Sequence, residues 1–209
     1  MLNGQKEYRA LAMVFILCLL PLYTPGQNPS ENLRDQHFRQ LKINAQEIRL
    51  ALAELSNEYE VPIGIELVSE NSRIPDVPIN VGVQNATLED VLNEITRQDS
   101  NYMWQLEDGV VNVFPRVNRD EFLADLLSTR VGTCLIKQDI QSSSLRILLT
   151  SLPEIELKAQ MAKVWASNPS YTGSDYSPIG LSRPLKLSNA TLREILNTVI
   201  RNSRTKIWT

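Results

Sequence analysis

Asn85-Ala-Thr-Leu88 is written twice in this chain, returning as Asn189-Ala-Thr-Leu192. The correspondence runs outward at constant spacing, with Asn93 against Asn197, Arg97 against Arg201 and Trp104 against Trp208. Val91, Ile95 and Asp90 are answered conservatively by Ile195, Val199 and Glu194. An internal repeat is the first thing to read from a sequence, because it decides the architecture. In both copies the apolar residues fall at i, i+3, i+4 and i+7: Leu88, Val91, Leu92, Ile95, and Leu192, Ile195, Leu196, Val199. That spacing puts each set on one helical face. Thr87-Leu-Glu-Asp90 and Thr191-Leu-Arg-Glu194 have the form of capping boxes, in which hydroxyl and carboxylate satisfy the first free N–H groups reciprocally. An alternating strand precedes each helix (Ile79, Val81, Val83; Leu185, Leu187), and a strand holding Trp104 or Trp208 follows it.

The rest of the chain extends the duplication. Leu41 and Ile43 form a short strand, Ile48, Leu52 and Leu55 a helical stripe through 46–59, and Pro62 precedes a strand with Ile63, Ile65 and Leu67. A polar loop at 69–76 leads to the strand at 78–83 and the helix at 87–99. Tyr102, Trp104 and Leu106 run to the hairpin signal Asp108-Gly109, and Val111 and Val113 return. Asn118-Arg-Asp-Glu121 has cap spacing for a connecting helix. In the second copy Cys134, Ile136 and Ile140 share strand parity. Ile140 aligns there with Ile43, and Leu145, Leu149 and Leu152 with Ile48, Leu52 and Leu55. Residues 156–165 alternate apolar positions and take the place of a strand. Several extra residues of the second copy fall in a Gly/Pro-rich loop.

The reading is α+β: two related βαββαβ-type modules, each with two helices on a small mixed sheet. Residues 1–26 are a signal peptide, 27–37 a flexible lead-in containing His37, 38–116 the first module and 117–130 the connecting helix. The second, divergent module covers 131–209, with a long loop at 166–183.

The leader assignment follows from Lys6 and Arg9 ahead of the apolar run Leu11–Leu22, with Thr24-Pro25-Gly26 as a small-residue exit. Cleavage is expected near Gly26, Cys18 being a thiol inside the leader. Its removal takes away two positive charges and one negative, so the formal charge moves from −3 to −4. An acidic chain without a basic stripe is a poor nucleic-acid binder. No apolar run after the leader reaches the roughly 20 residues of a membrane span. Cys134 alone remains, which excludes an internal disulfide.

No catalytic constellation emerges. His37 is the single imidazole, Cys134 reads as a buried inert thiol, and Ser142–Ser144 read as caps rather than nucleophiles. Glu89, Asp90 and Glu94 gather at a helix start, where acids suit the dipole. No metal-ligand or cofactor spacing is present. The two Asn-Ala-Thr triplets match the glycosylation sequon but stand before equivalent helices, and a structural role explains their repetition. Tyr171 and Tyr176 sit in the long loop and are candidate partner contacts. Lys206, Ile207 and Trp208 join them, because the hairpin that follows Trp104 has no counterpart after Trp208. The second sheet is thus expected to offer an open edge, unless the strand near Cys134 or the long loop covers it.

Residues 38–115, and more faintly 131–209, resemble the short N-terminal domain of secretins and of transducing TonB-dependent receptors. The features that carry this are Leu41-Lys-Ile-Asn-Ala45, the helix with Leu52 and Leu55, Ile63–Leu67, the Ala-Thr-Leu helix start and the Asp108-Gly109 hairpin. The resemblance implies a periplasmic, non-enzymatic protein–protein module. The function expected is therefore a non-catalytic binding or adaptor protein of the bacterial envelope, exported and partnered by another protein. Two other classes stay open: a carboxylate-dependent hydrolase or glycan-processing enzyme using Glu89, Glu94 or Asp175, and a small-ligand carrier closed by the tyrosine loop.

Overall fold

Strand β1 (His37–Ala45) runs antiparallel to β3 (Ile79–Thr87), with Leu41 opposite Val83 and Ile43 opposite Val81. They belong to a computed structural model that describes residues 33–66, 68, 75–162, 179–204 and 206–208. The fold is α+β, with six helices and several small sheets among the described residues. The leader, residues 27–32 of the lead-in, most of the 69–76 loop, and Tyr171, Asp175 and Tyr176 lie outside them. His37 belongs to β1 rather than to a flexible lead-in.

After β1 come helix α1 (Ile48–Tyr59) and strand β2 (Ile63–Ile65). Helix α2 (Leu88–Gln98) follows β3, and β4 (Tyr102–Glu107) turns through Asp108-Gly109 into β5 (Val110–Pro115). This is the expected order. Asp108 and Gly109 both have positive φ (50° and 74°), the pair of left-handed residues that a tight hairpin turn requires. Leu41, Ile43, Leu52, Leu55, Leu88, Val91, Ile95, Val111 and Val113 pack into one core. Helix α3 (Glu121–Leu127) connects the halves, and its cap is Asp120, whose Oδ1 accepts from Leu123 N–H at 2.9 Å. Asn118, the residue expected there, instead takes a left-handed conformation in the preceding turn.

The second half departs further. Strand β6 (Arg130–Ile136) pairs with β7 (Leu185–Thr191), Ile136 lying opposite Leu185. The register of β7 makes Ile136, not Ile140, the counterpart of Ile43. Helix α4 (Ser142–Thr150) starts behind Gln141, whose side chain makes no capping bond, so the serines stand in its first turn and not at its cap. Helix α5 (Pro153–Met161) replaces the strand expected from residue 156. Ile155 and Ala159, four apart, are its buried pair, while Leu157 and Met161, which set the apparent alternation, are exposed. Proline at the first helical position suits this start. Helix α6 (Leu192–Arg201) and strand β8 (Ile207–Trp208) complete the half, and Leu145, Leu149, Ile155, Ile195 and Val199 share its core. Ile179 and Leu181, at the end of the long loop, are buried in that core too.

The halves meet in one sheet of order β4-β5-β2-β8. β2 is parallel to β5 on one side and to β8 on the other, with Ile63 opposite Ile207 and Gly64 opposite Trp208. Ile63, Ile65, Val111 and Val113 face α1 and α2. Gly64 and Asn112 face the other way, beneath Trp208 and α6. Val110 through Val113 are accordingly all buried, the mark of a strand covered on both faces.

Candidate functional site

The junction between the halves gathers the most specific side-chain chemistry in the molecule. β8 binds β2 along its main chain, Ile63 N–H donating to Lys206 O at 2.7 Å. β2 thus covers the side of β8 to which Lys206 and Trp208 turn their main chain, opposite the side expected to stand open. The Ile207 side, where the missing hairpin strand would pair, carries no strand among the described residues, β8 being the last strand of its sheet. The Trp208 indole lies directly over Gly64, where a Cβ would overlap its Cε2 and Cζ2 carbons. Its Nε1 donates to Asn197 Oδ1 on α6 at 2.9 Å.

Beyond Gly64 the chain continues into Glu66, a carboxylate only 1% exposed. Arg119, from the connector after β5, binds it through two bonds of 2.8 and 2.9 Å, and Arg193 of α6 reaches it at 2.5 Å. Arg119 also lies over the Phe114 ring at 5.2 Å. A buried carboxylate needs such partners, and fork-shaped guanidinium groups supply them with defined geometry. At the far end of α6, Arg201 donates to Asp108 O in the hairpin turn at 2.6 Å. Arg193, Asn197 and Arg201 stand four residues apart and so form one face of α6, the face that meets the first half.

The equivalent face of α2 carries Glu89, Asn93 and Arg97, and it is open to solvent. Asn93 Oδ1 accepts from Trp104 Nε1 at 3.0 Å, matching the Asn197–Trp208 bond. Glu89 lies 3.9 Å from Arg34, and Arg97 pairs with Glu94 in its own helix. Hydrogen bonds from Arg97 and then Gln98 hold the Glu94 carboxyl down at about 2. The Thr87 main-chain N–H, then its hydroxyl, lower Asp90. Both carboxylates are thus committed to helix structure, Asp90 and Glu194 closing the two expected capping boxes. Burial raises the Cys134 thiol, which disfavours the reactive thiolate. Among the described residues no group of three or more His, Cys, Asp or Glu is disposed to hold a metal ion. A groove of about 360 Å³ runs along the outward residues of β1 and β3, such as Gln40, Lys42, Asn80 and Gln84, without buried polar groups converging on it.

Sequence reasoning missed Glu66, Arg119 and Arg193. The available signal was an acid inside the apolar run Ile63–Leu67, a place where an unpaired charge is not tolerated. It also missed the role of the repeated asparagine. Asn85 and Asn189 have φ of 51° and 53°, inside strands, and asparagine is among the few side chains that accept this. Comparison with protein-family models, with curated proteins and with solved structures finds no match. Among the described residues no helix is long and apolar enough to cross a membrane.

Proposed function

We propose that this is a duplicated, non-catalytic adaptor of the bacterial envelope, acting by protein–protein contact in the periplasm or outside the cell. The observation that carries this reading is the use made of its reactive groups. Asp90 and Glu94 serve their own helix, Glu66 ties the halves together and Cys134 is buried. By contrast, α2 leaves a polar face open to solvent, and β4 a side that no strand pairs with among the described residues. The leader-like first 26 residues and the resemblance to secretin and TonB-transducer domains favour the same reading. Duplication is supported by four matched features: the capping boxes, the left-handed asparagines, the Trp-to-Asn bonds, and identical burial alternation in β1 and β6. The second module has diverged by taking α5 in place of a strand.

In this reading the second module fastens to the first through β8 and α6, and the pair presents one platform. Photo-cross-linking in the native envelope, with probes on the exposed face of α2 and on α4, tests it by requiring a discrete protein adduct. An ester, peptide or glycan hydrolysis activity that disappears in Glu89→Gln or Glu94→Gln would overturn it. Export predicts a mature chain starting near Gln27; an exported protein that retains Met1 would contradict that part.

A further inference from the structure

The edge by which β8 grips β2 has a twin on β4 that no strand occupies among the described residues. Tyr102 O there accepts from Arg116 Nε at 3.1 Å, and Tyr102 N–H donates to Asp99 O at 3.2 Å. Arg116 N–H donates to Asn101 O at 2.7 Å, which fixes the antiparallel alternation between β4 and β5. Met103, Gln105 and Glu107 therefore turn their main-chain groups to β5, and Tyr102, Trp104 and Leu106 turn theirs away. On β8, the bond from Ile63 N–H to Lys206 O shows that Lys206 and Trp208 turn theirs to β2. Lys206 and Trp208 correspond to Tyr102 and Trp104 in the repeat. The side of β8 that holds β2 is thus the side of β4 that no strand pairs with among the described residues. The indole that lies over Gly64 in the second half has a counterpart in Trp104, and the two are bonded alike, to Asn197 and to Asn93.

We infer that the free edge of β4, with Trp104 and Glu89, is a docking site for an extended protein segment that adds as a parallel strand. The inference rests on reading α2–β4 and α6–β8 as equivalents. The internal complex supplies the recognition rule. On β2 the residue beneath the indole is glycine, because anything larger would overlap Trp208. Two residues later, on the same face, Glu66 meets Arg193. At the corresponding place on α2 the charge is reversed to Glu89, so the segment carries a small residue under Trp104 and Lys or Arg two positions on. Side chains on its other face are not read by this edge. Main-chain bonds supply affinity and these two positions supply selectivity, the usual division in strand addition.

The test uses the full chain and a synthetic peptide, Thr-Ile-Gly-Thr-Arg-Val, with two controls: leucine for its glycine, and glutamate for its arginine. The free protein is expected to exchange the Trp104 and Leu106 amides rapidly, and the peptide to protect them. Each control should bind about tenfold more weakly, the equivalent of 1.4 kcal/mol. Glu89→Arg, on a half-exposed side chain, should reverse the preference between the arginine and glutamate peptides while leaving the circular dichroism unchanged. Equal binding of all three peptides, or no protection by any, overturns the inference. Protection that rises with protein concentration alone, with dimers in sedimentation, assigns the edge to a second copy and overturns it as well. A partner cross-linked only away from β4 would leave the adaptor reading standing and remove this site.

Discussion

Gly64 shows how much one missing methyl group can decide. It lies mid-strand, where glycine is weakening, and its position is explained by the indole of Trp208 lying on it. Gly64→Ala should cost about 1–3 kcal/mol by overpacking, and should shift the Trp208 indole N–H resonance as its bond to Asn197 is disturbed. In a Trp208→Ala background the same change should cost nothing. Urea titration of the four proteins checks this, and equal cost in both backgrounds would show that the indole is not what excludes the methyl. Neither Gly64 nor Glu66 was legible beforehand, since both are explained by residues more than fifty positions away. Asn85 and Asn189 were visible as a repetition, but a left-handed φ leaves the same trace in sequence as a sequon.

Elements were more legible, because caps and apolar stripes are local. Thr87 and Thr191 were readable as helix starts since the groups they satisfy lie within three residues. Thr87→Ala and Thr191→Ala should each lower stability by about 1 kcal/mol, measured by urea unfolding. The α2 terminus also sets a pH dependence. Glu94 has a folded pKa depressed to about 2 from an ordinary 4.5, so its contribution is complete above the ordinary value and disappears as pH falls toward 2. Lowered Asp90 acts in the same direction. Urea midpoints should therefore fall between pH 5 and pH 2, and less steeply for Glu94→Gln; parallel profiles would refute the assignment. Helix α5 was misjudged because Leu157, Ala159 and Met161 alternate as a strand does. The helical pair Ile155 and Ala159 becomes decisive only once burial is known.

At the scale of the molecule, two cores share a sheet and a buried carboxylate. The halves should consequently unfold together, in one transition seen alike by near-UV and far-UV signals; two separated transitions would contradict this. Glu66→Gln should lower the unfolding free energy by about 2 kcal/mol, the range of hydrogen bonds to charged groups. Arg193→Ala should cost less, because Arg119 continues to hold the carboxylate. A Glu66–Arg193 double-mutant cycle measures the coupling between halves directly.

The β2–β8 pairing also bears on how the protein behaves when crowded during refolding. Its two strands are separated by most of the described chain, so sealing this sheet edge carries a high loop-closure cost during refolding. The Lys206–Trp208 segment of another copy offers the same main-chain bonds, the same indole over Gly64 and the same tether through α3. Refolding at high concentration should therefore yield exchanged dimers that keep every native contact and separate only by unfolding, whereas refolding in dilute solution returns the monomer.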